Sequence, residues 1–144
     1  MSLRVKEITE PVYGANYVLL FGTRAELETW GTTGEAGSLV EIAAEGMLKD
    51  SEHIRGRYLT ISHVDGCMYY VLFVRSDLDA MALATVPAHE TFHAVTTVLL
   101  DKGLRLSADS EEAFAYLQTY LLEHYYTLMA SPKQKRRTRR RSGK

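Results

Sequence analysis

The chain has 144 residues, of which 46% are hydrophobic and 24% are charged. This length and composition suit one domain with an apolar core of its own. The single cysteine, Cys67, excludes an internal disulfide and is expected to be a buried strand thiol. We find no signal peptide and no run near the roughly 18 apolar residues of a membrane span, so we expect a cytoplasmic protein without membrane contact.

Charge is distributed unevenly along the chain. Residues 131–144 (SPKQKRRTRRRSGK) hold eight of the 17 basic residues and no acidic one. Residues 1–130 therefore carry nine basic and 18 acidic side chains, a net charge of −9. We expect a folded domain over residues 1–130 and a basic, disordered tail over 131–144. Such a tail either solubilises the protein or binds nucleic acid or another polyanion by counterion release.

The N-terminal part of the chain predicts a strand and a capped helix. Residues 13–21 (YGANYVLLF) are rich in aromatic and β-branched side chains and stop at a glycine, which predicts a strand. Thr23 and Glu26 have the spacing of a capping box, so a short helix should follow. Residues 38–47 are compatible with either a strand or a helix.

A β-hairpin is predicted over residues 57–75. Two apolar runs, residues 58–63 and 68–75, flank the sequence Val64-Asp65-Gly66. An Asp-Gly pair between two such runs is a strong hairpin signal.

The C-terminal part of the chain predicts two helices. The apolar period becomes helical from residue 81, with Thr85 as a cap, Pro87 in the first turn and Gly103 as the stop. A second helix is predicted from about Asp109 to about Leu128, with Asp109 as its cap, because Asp109 and Glu112 have an acidic variant of the capping-box spacing. We therefore expect an α+β domain in which an antiparallel or mixed sheet packs on both helices.

The first of these helices contains the motif His89-Glu90-Thr91-Phe92-His93. Residues four apart lie about 40° apart around a helix and roughly 6 Å along it, so His89 and His93 can hold one metal ion. Glu90 lies about 100° from His89, beside the ligands, where a carboxylate can take a proton from a metal-bound water. HExxH on a helix is the zinc metallopeptidase signature for this reason.

The surrounding residues predict how this helix packs. Ala88, Phe92, Val95 and Leu99 form a separate apolar stripe, which we expect to pack on the sheet while the histidines face a cleft. The motif is short, and the alternative is an ordinary amphipathic helix with two histidines at its surface.

A catalytic zinc usually takes a third protein ligand and keeps one position for water. Thr96 and Leu99 stand where the extended metzincin motif requires glycine and histidine, so that motif is absent. Glu111 and Glu112, which follow His93 by 18 and 19 residues, are the candidates on the next helix. Either carboxylate also suits a purely electrostatic role at a helix N-terminus.

Residues 57–128, as strand, HExxH helix, connection and glutamate-bearing helix, resemble the zincin metallopeptidases and more closely their glutamate-liganded branch. The chain is also similar to small phage-encoded HExxH proteins. The zincin resemblance implies Zn²⁺ bound by the two histidines and by Glu112, whose Glu-Ala dipeptide matches the start of the family's ligand helix. It implies Glu90 as general base, a peptide or protein substrate, and an edge strand at residues 68–74 that aligns the substrate.

Two further residues on the second helix are candidates. Tyr116, one turn from Glu112, could donate a hydrogen bond to a developing oxyanion, although core packing with a wet hydroxyl is the alternative. His124 is expected to be structural, because an imidazolium complements the C-terminal end of a helix.

Three functions follow from these expectations. The first is a zinc-dependent peptidase in which Glu90 assists attack by a zinc-bound water. The second is a non-enzymatic, zinc-stabilised interaction or virion protein with a polyanion-binding tail. The third is a polyanion-binding accessory protein whose tail carries the function. If the protein is phage-encoded, its location is the host cytoplasm or the virion.

Overall fold

The computed structural model describes residues 2–49 and 53–132. Nearly all of the predicted basic tail, residues 133–144, lies outside the described residues. The elements, in chain order, are β1 (Arg4–Thr9), β2 (Asn16–Gly22), α1 (Arg24–Gly31), α2 (Leu39–Leu48), β3 (Gly56–Ser62), β4 (Met68–Arg75), α3 (Ala80–Asp101) and α4 (Glu111–Ala130).

The four strands form one mixed sheet in the order β1-β2-β4-β3. Strand β1 is antiparallel to β2, β2 is parallel to β4, and β4 is antiparallel to β3. The predicted α+β class with a mixed sheet is therefore confirmed. The prediction that residues 68–74 form an edge strand is wrong, because β4 pairs on both sides and β3 takes the edge.

Helices cover both faces of the sheet, and the alternation of side chains along the central strands divides the core in two. One cluster joins Leu19 and Leu72 to α3 and α4. The other joins Leu20 and Val71 to α1 and α2. On the first face, α3 contacts β3 and β4, whereas α4 contacts β1 and β2. The two helices therefore lie side by side over different halves of the sheet.

Several local signals in the sequence form the expected structure. Thr23 and Glu26 make both hydrogen bonds of a capping box at the start of α1. Asp65 accepts the amide of Cys67 in the turn of the β3–β4 hairpin, and Gly66 there has a φ of 79°. The hairpin prediction is confirmed, but the Cys67 thiol is exposed because it lies in the turn ahead of β4.

Helix α3 begins earlier than predicted. Asp79 is its N-cap, and the Asp79 carboxylate accepts the amide of Ala82 at 2.8 Å. Thr85 lies inside the helix, where its hydroxyl donates to the Met81 carbonyl at 3.0 Å. Pro87 is likewise internal. The predicted cap at Thr85 is therefore wrong, since the Asp79 carboxylate starts the helix almost two turns before the proline.

The end of α3 agrees with the sequence. Gly103 has a φ of 78°, which suits glycine because it has no Cβ to clash. The Leu104 amide donates to the Leu99 carbonyl at 2.8 Å, and the Gly103 amide donates to the Leu100 carbonyl at 2.9 Å. These two bonds make a Schellman motif.

The start of α4 and the strand β1 differ from the predictions. The first residue of α4 is Glu111, and its N-cap position is Ser110, so the expected cap at Asp109 is wrong. The Ser110 hydroxyl donates to the Arg105 carbonyl and makes no side-chain cap. Strand β1 was missed because half of its residues are exposed and its sequence, RVKEIT, contains three charged side chains and only two apolar ones.

Tyr125 anchors α4 to the centre of the sheet. Its side chain is fully buried, and its hydroxyl donates to the Leu20 carbonyl at 2.5 Å with the Leu72 carbonyl at 3.4 Å. Within the described ranges, no helix is long and apolar enough to cross a membrane.

Replacement of this hydroxyl tests the anchor. Tyr125→Phe should lower the free energy of unfolding by about 1 kcal/mol, because a buried hydrogen bond is lost while the ring stays packed. The matched control is Tyr126→Phe, whose hydroxyl donates to the Ala84 carbonyl at the surface. The control should change stability by less than about 0.5 kcal/mol in urea unfolding. Equal losses in the two variants would contradict the anchoring role.

Candidate metal centre

His89 and His93 lie together on the exposed side of α3. Their Nε2 atoms are 3.1 Å apart, and the ring centroids are 4.7 Å apart with the planes at 81°. Two bonds of about 2.0–2.1 Å from a tetrahedral zinc would place two nitrogens about 3.3 Å apart. The pair therefore fits one zinc ion with a shift of a few tenths of an ångström. Without metal, the Nε2–H of one ring donates to the other.

The pair lies beside strand β3 at the edge of the sheet. The ring of Tyr58, on β3, is parallel to that of His93 within 9°, with centroids 6.4 Å apart. In the part of the chain that the structure describes, no strand pairs with the outer side of β3. The histidines thus face solvent next to an open strand edge. The HExxH motif did not indicate Tyr58, because Tyr58 comes near His93 only through the packing of α3 against β3.

Glu90 points into the protein. Its side chain is 7% exposed and lies against Gly56 of β3, where an added Cβ would be 2.9 Å from the Glu90 Cγ and 3.1 Å from its Oε1. Burial raises the pKa of Glu90, while the nearby side chains of His89 and Arg57 act to lower it. The Glu90 carboxyl group is therefore adjacent to His89 in sequence, but it lies between α3 and β3, whereas the histidines lie on the exposed side of the helix.

The buried face of α3 is rotated from the predicted apolar stripe. Phe92 is 48% exposed, whereas Thr91, Ala94 and Val98 are buried together with Glu90. The predicted burial of Phe92 is thus wrong, whereas Val95 and Leu99 are buried as expected. This rotation places the histidines outward instead of in a cleft.

The structure does not bring Glu112 or Glu111 to the histidines. Both glutamates are exposed at the start of α4. Helix α4 contacts the far flank of α3, where the Gln118 side-chain amide donates to the Ala88 carbonyl and the Thr91 hydroxyl. Across residues 2–49 and 53–132, no three His, Cys, Asp or Glu side chains are grouped so that they could hold a metal ion.

Tyr116 also lies away from the pair. Its hydroxyl donates to Glu10 at 2.9 Å, in the loop between β1 and β2. Glu10 is fully buried and also accepts the amides of Val12 and Tyr13, each at 2.7 Å. Tyr116 therefore connects α4 to that loop. The sequence did not indicate Glu10, because the partners of Glu10 are two turn amides and a tyrosine that is distant along the chain.

A shallow groove of about 410 Å³ lies on the outer face of α4. Glu112, Tyr116, Tyr120 and Glu123 line it together with two smaller side chains of the same helix. None of the HExxH residues lines this groove. The residues expected to form one site are thus divided between two surfaces.

His124 is a structural residue, but it does not act as an imidazolium. Its Nδ1 accepts a hydrogen bond from the Lys6 ammonium at 2.8 Å, and its ring meets Tyr120 edge-on at 4.5 Å. Burial, and then the Lys6 charge, lower the pKa of His124. The neutral ring joins α4 to β1, which corrects the expectation of a positive charge at the helix end.

No protein-family model matches the chain, and neither do any of the curated proteins or solved structures with which it was compared. The resemblance to the zincins therefore rests on the HExxH residues and their spacing.

The lowered pKa of His124 predicts a loss of stability in acid. The unfolded chain takes up a proton near the ordinary value of 6.5, whereas the folded chain takes it up only at lower pH. Because the unfolded state then binds more protons, the free energy of unfolding should decrease as the pH falls through that window. Urea unfolding at about pH 8 and about pH 5 should show a smaller decrease for His124→Gln than for the wild type. An identical decrease would contradict this assignment.

Proposed function

We propose that this protein is a zinc-binding interaction protein whose metal is held by His89 and His93 and is completed by ligands from a binding partner. The observation that carries the proposal is the 3.1 Å separation of two exposed Nε2 atoms. Imidazole nitrogen is a preferred ligand of zinc, and a structural zinc site has four protein ligands. Two ligands on one exposed helix leave two positions for groups that approach from outside.

The position of Glu90 supports an interaction role over catalysis. A general base must come within about 2.6–3.2 Å of the proton that it abstracts, directly or through one water. The Glu90 side chain is buried against β3, while both imidazoles face solvent. A catalytic zinc also usually takes three protein ligands, and the described residues offer two at this place.

Zinc binding is tested by metal analysis. We expect the purified, chelator-stripped protein to take up zinc in competition with a chromophoric chelator. The double variant His89→Ala/His93→Ala should retain only background zinc, because both nitrogen ligands are gone. Glu112→Gln is the matched control and should bind zinc as the wild type does, since Glu112 lies on the other surface. Full zinc binding by the double variant would refute the site.

Peptide hydrolysis is the second candidate, and the open edge of β3 favours it. An extended peptide can add to an exposed strand edge through main-chain hydrogen bonds. The edge runs beside the histidines, because Tyr58 of β3 stacks against His93. For this function, His89 and His93 would hold a zinc ion that would supply Lewis-acid polarisation of a peptide carbonyl, and Glu90 would carry the proton.

Substitution of Glu90 separates the two candidates. Glu90→Gln keeps the size of the side chain and removes its basicity, so zinc binding should hardly change. A peptidase should lose turnover by ~100-fold or more in this variant, which is the usual scale for a lost general base. A diverse peptide library provides the assay, with Glu112→Gln as the control. An interaction protein should cleave nothing in either form, and wild-type cleavage that Glu90→Gln abolishes would overturn the first proposal.

A further inference from the structure

Between its ends, the exposed face of α3 carries no permanent charge, and the exposed Asp101 at its C-terminal end accepts the Tyr70 hydroxyl at 2.9 Å. Residues 80–100 (AMALATVPAHETFHAVTTVLL) contain one acidic residue, Glu90, and no lysine or arginine. Since Glu90 is buried, the outer face presents the two histidines among apolar and small polar side chains. Met81, Phe92 and Leu100 are 73%, 48% and 48% exposed. Exposed apolar side chains on an uncharged face of a surface helix suit a site of interaction.

The rest of the domain is acidic. Residues 1–130 carry a net charge of −9, and the neighbouring helix exposes Glu111, Glu112 and Glu123. Two copies of such a domain repel each other over most orientations, because like charges that face each other cost free energy. Between residues 80 and 100 of α3 they can approach without placing carboxylates opposite one another. The uncharged face is therefore compatible with a second copy of this chain.

The histidine pair lies at the centre of this helix. His89 is nine residues after Ala80, and His93 is eight residues before Asp101. If two α3 helices run antiparallel about a two-fold axis through the pair, they overlap over their full length of about 33 Å. The same symmetry brings His89 and His93 of each copy to one point, because an interface of this type uses the same patch on both subunits.

We propose that a second copy of this chain supplies the missing zinc ligands, so that one zinc ion is bound by four histidines at a two-fold axis between antiparallel α3 helices. This inference rests on the proposed zinc site and names its partner. Four imidazole nitrogens complete the tetrahedral coordination of a closed structural site. One helix face is small beside the roughly 1,200–2,000 Å² that stable interfaces bury in total, so the dimer should depend on the metal.

The experiment measures mass and zinc content together on the full chain. Chelator-stripped protein is titrated with zinc chloride while sedimentation gives the molecular mass. We expect a monomer of 16.2 kDa without zinc and a species of twice that mass with zinc. The dimer should contain one zinc per two chains and return to the monomer when a chelator is added.

One substitution tests the α3 interface, and a second serves as its control. Phe92→Glu keeps both histidines and places like charges beside the axis, so the dissociation constant of the zinc-bound dimer should rise by at least ~10-fold. Val64→Glu is the matched control, because Val64 is 92% exposed at the tip of the β3–β4 hairpin, away from α3. It should dimerise as the wild type does. Circular dichroism verifies that both variants are folded.

The outcomes are distinguishable. A monomer that binds one zinc per chain would overturn the dimer and leave the proposed zinc site intact. A protein that binds no zinc would overturn both. A dimer that survives removal of zinc would overturn the role of the metal, and a Phe92→Glu dimer as tight as the Val64→Glu dimer would overturn the α3 interface.

Discussion

The close approach of α3 to β3 at Gly56 determines how the rest of the site is arranged. A Cβ at this position would lie 2.6 Å from the Val86 Cγ1 and 2.9 Å from the Glu90 Cγ, so the helix can come this near only because the strand has a glycine there. The contact directs Glu90 inward, and the helical period then turns His89 and His93 outward. The rotation of one helix thus decides which member of the HExxH motif meets solvent.

The same rotation explains why the predicted third ligand is not assembled. Helix α4 packs on the flank of α3 that carries Ala88 and Thr91, and Tyr125 anchors it over β2 and β4. The histidines lie on the other flank, beside β3. Glu112 is therefore the right residue type at the expected distance along the chain, but α3 itself separates it from the pair.

Local signals in the sequence predicted local structure well. The Thr23 capping box, the Asp65-Gly66 turn and the Gly103 stop each depend on residues within one turn, and all three are found. The errors concern contacts between distant segments. The parallel pairing of β2 with β4 puts β4 inside the sheet, and no pattern within residues 68–74 encodes that partner. The rotation of α3 likewise depends on its packing against β3, including the contact with Gly56, more than thirty residues before the motif.

The number of protein ligands on the proposed zinc ion would decide between the two proposed functions. A site with four histidines has no position left for water or for a peptide carbonyl, so it can stabilise a complex but cannot catalyse hydrolysis. A site with two histidines in a single copy keeps open positions, and a peptide on the edge of β3 could reach them. Its zinc would be held by fewer protein bonds than in a structural or catalytic site. Because one helix would supply both ligands in either case, self-association and hydrolysis would compete for the same face of α3.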